Sequence, residues 1–212
     1  MDIKNDIHIM EMNDKLYQRL KQSELVIHAK VESILRQISS WKYATHEFYV
    51  PAPYQNELAG LPNGRIRKNI EEKDRLKIAG LYSFGFNAEG KILCSQEAPD
   101  NIGNGIITDI YEYDNAFSYY VYHVKYIPNQ YTTIISISYF YPYHEMNIFQ
   151  GINSYKDWSV YLYEYDKERI SKVHRYASRW GNMPAEEYNF AYENNLLCAI
   201  VGEKRLKNGE LY

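Results

Sequence analysis

An aromatic couplet followed by a turn-forming residue recurs every 26 to 27 residues through the C-terminal two thirds of this 212-residue chain. The second aromatic residues of four couplets are Phe86, Tyr113, Tyr165 and Tyr192, at spacings of 27, 52 and 27 residues. Since 52 is about two periods, a further copy is expected near position 139, where the chain reads YFYPY. The sequence therefore contains five units, and the central one is degenerate.

Each unit has the pattern of a β-hairpin. Aromatic residues two apart project from the same face of a strand, and Asn, Asp, Gly, Lys or Glu then precede a second apolar run. In the first unit, residues 81–86 and 91–94 flank a loop that ends at Gly90, which can adopt positive φ at little cost. Five hairpins in series predict about ten strands in an antiparallel β meander. The pattern is compatible with an open sheet, a curled sheet and a closed barrel.

The fourth unit carries the most specific pattern. A Tyr, any residue, Tyr, Asp sequence precedes a short turn, a basic residue and an aliphatic residue, and this order resembles the YD-repeat pattern. The usual glycine before the basic residue is a glutamate here, and Tyr111, Tyr113 and Asp114 give a partial second match. The resemblance implies a β-sheet scaffold and does not specify an activity. The matching residues are Tyr163, Tyr165, Asp166, Arg169 and Ile170.

An amphipathic helix is predicted ahead of the hairpins, which makes the fold α+β. From Leu16 onward, apolar residues recur at intervals of three, four or seven, with charged residues on the other side. Asn13 is a plausible N-cap, and Ser39 with Ser40 a plausible end. We expect this helix to pack on one face of the sheet. The apolar positions are Leu20, Ile27, Val31, Ile34 and Ile38.

The whole chain, 1–212, is interpreted as one domain, because no polar linker divides it. It comprises a helical N-terminal part with a loop, residues 1–75, and a β-hairpin repeat region, residues 76–212. Within the first part we expect a short strand at 46–50, an extended loop to Gly64, and a short helix at 65–75. Cys94 and Cys198 lie in the second strands of the first and last hairpins, which favours buried free thiols.

Composition excludes several classes of partner. A net charge of −3 and a pI near 6.1 disfavour nucleic acid, which usually requires a basic excess. No window approaches 18 apolar residues, so no membrane association is expected. The amino terminus has no apolar leader with a small-residue cleavage site, and this predicts a cytoplasmic protein.

No motif for catalysis, a metal or a cofactor is present. The chain has no glycine-rich phosphate loop, nucleophile elbow, paired cysteine motif or helical histidine pair. The prediction is therefore a protein without enzymatic activity and without a cofactor. His123 and His174 both fall in second strands of hairpins, where a favourable register would bring them into one site, and His144 falls in the central unit.

The 23 tyrosines exceed what one core requires, so some are expected to face outward. Tyrosine combines a large contact area with a hydroxyl group and few torsions, which suits interfaces. Cross-strand aromatic ladders that only stabilise the sheet are an equally good explanation. Acidic residues accompany the tyrosines, so the predicted surface suits a basic protein partner. The candidate binding residues are Tyr111, Tyr113, Asp114, Tyr139, Tyr141, Tyr163, Glu164, Tyr165 and Asp166.

These features favour a bacterial cytoplasmic immunity protein that neutralises a cognate toxin by direct binding. Toxins that act on nucleic acid tend to be basic, and an acidic inhibitor gains association rate from complementary fields. One alternative is a ligand-binding or enzymatic β-barrel with a Tyr-lined pocket. Another is a structural sheet protein whose edges pair between copies.

Overall fold

The computed structural model describes residues 3, 5–99, 105–178 and 185–204, and these form one large sheet with two long N-terminal helices on one side. The N-terminal elements are α1 (Ile7–Leu20), α2 (Glu24–Leu35), β1 (Ser40–Ala44), α3 (Gln55–Leu58), β2 (Ile66–Arg67) and a 3₁₀ turn (Glu72–Asp74). The remaining strands are β3 (Tyr82–Phe86), β4 (Ile92–Glu97), β5 (Ile106–Tyr113), β6 (Tyr119–Ile127), β7 (Tyr131–Tyr143), β8 (Met146–Asn153), β9 (Trp158–Asp166), β10 (Arg169–Ala177), β11 (Glu186–Glu193) and β12 (Leu196–Lys204).

The sheet is antiparallel, and every strand from β3 to β11 pairs with the next one in sequence. The predicted antiparallel sheet with a helical N-terminal part is thereby confirmed. The sheet has twelve strands, more than five hairpins supply, because β1 and β2 from the N-terminal part extend it beyond β3. Among the described residues the sheet is open, with β2 and β12 at its edges.

Turn chemistry explains why the repeat has the length of one hairpin. In the β3–β4 turn, the Asn87 carboxamide oxygen accepts from the backbone N–H groups of Glu89 and Lys91. In the β11–β12 turn, Asn194 and Asn195 have φ of 46° and 69°, the consecutive left-handed pair that a two-residue hairpin turn requires. Each aromatic couplet therefore lies at the end of the first strand of a hairpin, and the turn that follows leads into the second strand.

The predicted single helix is wrong in its extent, because the structure has two helices. The Ser23 hydroxyl accepts from the backbone N–H of Val26 and caps α2, which separates it from α1. Asp6 caps α1, whereas Asn13, the predicted N-cap, lies inside that helix. A serine in mid-pattern favours a cap over a helix interior, since its hydroxyl competes for backbone groups.

Packing of this helical part on the sheet is confirmed. Leu16 of α1 and Ile27 of α2 are almost completely buried against sheet residues such as Ile137 and Ile148. Together they form the largest core cluster, on what we call the helix face of the sheet. Burial of such side chains contributes about 1.5–3 kcal/mol each, so this face dominates the stability of the fold.

Three local predictions fail. Residues 46–50 form no strand, since β1 lies earlier, at Ser40–Ala44, where it pairs with β3. Residues 65–75 contain β2 and a single 3₁₀ turn in place of a helix. Cys94 is buried as expected, but Cys198 is exposed, because it is the extra residue of a bulge in the edge strand β12.

A loop of residues 45–65 covers the opposite side, which we call the loop face. The ends of this loop meet, since the N–H of Thr45 donates to the carbonyl of Arg65 at 3.1 Å. The Tyr49 ring of the loop contacts Phe84 of β3. The Pro51 carbonyl accepts a hydrogen bond from a tyrosine hydroxyl of β6, and the Leu58 carbonyl accepts one from a tyrosine hydroxyl of β11. In a flat sheet β3 and β11 would lie about 38 Å apart. We infer that the sheet curls around the loop.

Candidate functional site

The five hairpins that follow β2 all turn at the same end of the sheet, because strands of a meander alternate in direction. Neighbouring hairpin tips are two strands apart, or about 10 Å. Every tip carries at least one exposed carboxylate. We call these side chains the acidic tips: Glu89, Asp114, Glu145, Asp166, Glu168 and Glu193.

Three cations lie among the acidic tips in the described turns, and two of them are held against aromatic rings. The Lys91 ammonium lies 3.9 Å from the centre of the Tyr113 ring. The Arg169 guanidinium lies 5.5 Å from the Tyr192 ring and binds Asn195, whereas Lys167 is exposed. Six carboxylates therefore face three cations, so this end of the sheet has a negative potential.

An exposed aromatic ring accompanies the charges. Phe117, in the β5–β6 turn three residues after Asp114, is 74% exposed. Large exposed aromatic side chains beside charged groups are frequent anchors of protein interfaces. The sequence interpretation missed Phe117, Glu89, Glu145 and Glu168 because it followed the tyrosines.

Most of the tyrosines predicted to bind lie in the core. Tyr111 and Tyr163 are buried on the loop face, at 4% and 1% exposure. Tyr139 and Tyr141 are buried on the helix face, where their rings stack with centres 5.1 Å apart. These four tyrosines are therefore not accessible to a partner, and the structure does not bring them together on one surface.

The other predicted residues lie nearer the surface. Tyr113 and Tyr165 are half-buried on the loop face close to the tips. Asp114 and Asp166 belong to the acidic tips, although Asp114 also accepts a hydrogen bond from Tyr139 at 2.8 Å. Glu164 is half-exposed and pairs with a histidine on β10. The candidate surface therefore keeps the predicted carboxylates of the turns and loses most of the predicted rings.

A row of polar side chains crosses the loop face at one register. Each member is the cross-strand partner of the next on the neighbouring strand. From β4 to β8 the residues are Ser95, Asp109, His123, Ser136 and Asn153. We call these five side chains the polar row. The Ser95 hydroxyl donates to Asp109 Oδ2 at 3.2 Å, and His123 Nδ1 lies 2.7 Å from Asp109 Oδ1.

Two titratable side chains at the polar row, His123 and the neighbouring Glu47, have shifted pKa values. The hydrogen bond to Asp109 raises the pKa of His123 above its usual range, and burial opposes that rise only in part. Glu47, from the 45–65 loop, lies close enough for the charges of both residues to influence its pKa. Burial, with the nearby Asp109 charge, raises the pKa of Glu47 to about 7. Glu47 and His123 can therefore exchange protons near neutral pH.

A cleft of about 530 Å³ adjoins the polar row. Its floor continues from Ser136 through small side chains on β7 to β10, and an ion pair between Arg175 and Glu186, at 3.1 Å, lies on β10 and β11. Ser138, Gly151, Ser159 and Ala177 form this floor in one register. The next register on the same face has rings, Phe140, Phe149 and Tyr161.

The predicted convergence of His123 and His174 is wrong. His174 of β10 lies on the helix face, where its Nε2 is 3.1 Å from Glu164, whereas His123 lies on the loop face. His144 is exposed in the β7–β8 turn at a φ of 53°. Separate faces of one sheet cannot form a shared site.

The described residues contain neither a metal-binding cluster nor a membrane-spanning helix. No group of three or more His, Cys, Asp or Glu side chains is arranged to hold a metal ion within the ranges 5–99, 105–178 and 185–204. In the same part of the chain, no helix combines the length and the apolar character needed to cross a bilayer. Comparison of the chain with family models, curated proteins and solved structures found no match.

Proposed function

We propose that this chain is a bacterial immunity protein that neutralises a basic toxin domain, which it binds through the acidic tips. The observation that carries the proposal is the alignment of all five hairpin tips at one end of the sheet, each with an exposed carboxylate. Complementary charge accelerates association and orients the partner, and the exposed ring of Phe117 supplies an apolar anchor.

The fold supports a rigid binding surface of this kind. Four of the tips are short turns on strands that are covered on both faces of the sheet, by α1 and α2 on one side and by the 45–65 loop on the other, whereas the β11–β12 tip lies on more exposed strands at the edge. A surface that is preformed loses little conformational entropy on binding. The half-buried Tyr113 and Tyr165 support the tips from behind, and this is the role we assign to them.

The two alternatives have less support. The cleft on the loop face has a floor of serine, glycine and alanine, and its lining has no tyrosine in the described part of the chain. A second cavity of about 630 Å³, beside the β9–β10 turn, has Tyr192 as the one tyrosine of its described lining. Neither cavity is therefore a pocket lined mainly by tyrosines. The edge strand β12 does expose Leu196 and Val201, which is the observation that would favour pairing between copies. A monomer in light scattering at high concentration would exclude that alternative.

The proposal is tested first by capture. The tagged protein is used to isolate partners from its native host, and the captured protein is then expressed alone and together with this chain. Growth arrest by the partner alone, and growth on co-expression, is the expected result. Absence of a basic partner, or a partner whose expression is harmless, would refute the immunity role.

Matched variants then locate the surface. Replacing Asp114, Asp166 and Glu193 by the corresponding amides should lower the association rate constant by about tenfold at low salt and flatten its salt dependence. Replacing Glu24, Glu72 and Asp157, three exposed carboxylates outside the hairpin tips, removes the same charge and should change the rate less than about twofold. Glu24 contacts Thr133 near the β6–β7 turn, and Asp157 lies in the β8–β9 turn, both at the end of the sheet opposite the acidic tips. Equal effects of the two triple variants would show that only net charge matters.

A further inference from the structure

The polar row contains an acid, an imidazole and a hydroxyl in the order that nucleophilic hydrolases use. Asp109, His123 and Ser136 lie on three adjacent strands, and each is the direct cross-strand partner of the next. Directly opposed side chains in an antiparallel pair have Cβ atoms about 4.5–5.5 Å apart. The register of the sheet thus assembles, from residues 13 or 14 positions apart, a set that no local motif encodes.

The hydrogen bonds of this set have the polarity that catalysis requires. Asp109 engages His123 through Nδ1, at 2.7 Å, which leaves Nε2 available on the side of the imidazole away from that carboxylate. Asp109 is only 9% exposed, and its second oxygen is held by the Ser95 hydroxyl. A carboxylate that is fixed in this way orients the imidazole and stabilises its protonated form.

Ser136 lies where an incoming molecule can reach it. Its side chain is half-buried and lines the 530 Å³ cleft. Ladder pairing between β6 and β7 shifts next to it, between His123 and Val124, so that Ile135 is an extra residue. Such bulges redirect neighbouring side chains and are frequent beside active sites. No hydrogen bond joins Ser136 to His123 in the described contacts, so the pair closes by rotation about the Cα–Cβ bond of Ser136, as is common in free enzymes.

The geometry points to Ser136 as a nucleophile that His123 activates and Asp109 positions, with a short, polar carboxylic ester as its substrate class. The Ser136 hydroxyl adds to the ester carbonyl, and its proton passes to His123 Nε2. The bond from the carbonyl carbon to the alcohol oxygen breaks, and the alcohol leaves with that proton. Water then hydrolyses the acyl-serine by the same route, which releases the acid and restores the free hydroxyl.

The cleft defines the class of acyl group. Its volume of about 530 Å³ admits a small molecule, and the floor beyond Ser136 offers the hydroxyls of Ser138 and Ser159 as hydrogen-bond partners. A packing role alone does not explain this floor, because the next register on the same face is filled by rings. An apolar acyl chain would make few apolar contacts with this floor, so we assign a polar acyl group to the substrate.

The test uses a fluorophosphonate probe, which forms a stable phosphonyl ester with an activated serine and releases fluoride. Intact mass spectrometry of the native protein should show one adduct, and peptide mapping should place it on Ser136. Ser136→Ala should remove the adduct, and His123→Ala should slow labelling at least about tenfold. Ser33→Ala, on the exposed side of α2, should label at the native rate, and circular dichroism verifies the fold of each variant.

The pH profile distinguishes activation from accidental labelling. Only the neutral imidazole accepts a proton, so the labelling rate should rise with pH through the pKa of His123 and then level off. The charges that face His123 are those of Asp109, Glu97 and Glu47, and all three favour its protonated form. The rise should therefore be centred above 6.5. No adduct on folded native protein, an adduct on another residue, or equal labelling of His123→Ala would overturn the inference.

Discussion

One carboxylate on the helix face joins both helices to the sheet, and its replacement gives the sharpest test of how the fold is stabilised. Glu112 of β5 accepts from Arg19 Nη1 of α1 at 2.7 Å and from the Lys30 ammonium of α2. It also accepts from the Tyr122 hydroxyl at 3.2 Å. The Glu112 side chain is 32% exposed, so the two ion pairs are only partly desolvated.

Glu112→Gln keeps the size of the side chain and one acceptor oxygen but removes the charge. A hydrogen bond to a charged group contributes about 1.5–3 kcal/mol when it is buried, and an exposed ion pair less than about 1 kcal/mol. Two such bonds at intermediate exposure, discounted for solvent screening, give an expected loss of about 2 kcal/mol in the free energy of unfolding. The loss reflects two cations, Arg19 and Lys30, left beside a neutral amide.

The pH dependence follows from the sign of the shift. Burial alone would raise the pKa of Glu112, but hydrogen bonds from Lys30 and Arg19 outweigh it and hold the pKa below its usual 4.5. A lowered folded-state pKa contributes stability that is present above the unfolded value and is lost as pH falls through the folded value. The gap between native protein and variant should therefore narrow progressively as the pH falls below about 4.5.

Urea denaturation, followed by tryptophan fluorescence at neutral and acidic pH, measures this gap. Glu145→Gln, at an exposed hairpin tip, is the matched control and should change the free energy of unfolding by less than about 0.5 kcal/mol. A difference below that value for Glu112→Gln at neutral pH, or a gap that stays constant on acidification, would refute the reasoning.

Three further perturbations have expected outcomes. In native protein a thiol reagent should modify Cys198 within minutes and leave Cys94 intact until unfolding, because burial raises the pKa of Cys94 to about 12; equal rates would contradict this. Gly64→Ala should lower the free energy of unfolding by about 2 kcal/mol or more in urea denaturation, since its Cβ would lie 2.3 Å from the backbone oxygen of His46. Gln150→Leu should cost about 2–4 kcal/mol, read from the shift in thermal midpoint, because it breaks two hydrogen bonds from the sheet to α1, at Ile9 and Asn13, and one from Tyr141 within the sheet.

The hairpins were predictable because their signals are local. A couplet of rings two apart followed by a residue such as Asn87 encodes a strand and its turn within ten residues, and no distant contact is needed. The break between α1 and α2 was missed for a related reason. The apolar spacing continues through it, and only the capping hydroxyl of Ser23 marks the break.

The location of the tyrosines was not predictable, because it depends on both faces of the sheet being covered. A sheet with one wet face would expose alternate side chains. Here the helices bury Tyr139, and the loop buries Tyr163 on the opposite face, so two cores use the rings that the sequence suggested for a surface. The polar row was equally hidden, since the meeting of Asp109, His123 and Ser136 depends on register and on a bulge.

The bond between Leu58 and Tyr188 has a consequence for how the chain acquires its structure. A meander of neighbouring hairpins has low contact order, so its hairpins can form quickly and in any order. This bond joins residues 130 positions apart, so its loop closure is entropically costly. We expect the hairpins to form first and the 45–65 loop to dock in a separate, slower phase. Pulse-labelled amide exchange should then show late protection of Leu58 and early protection of β7 and β8, and simultaneous protection would argue for a single concerted step.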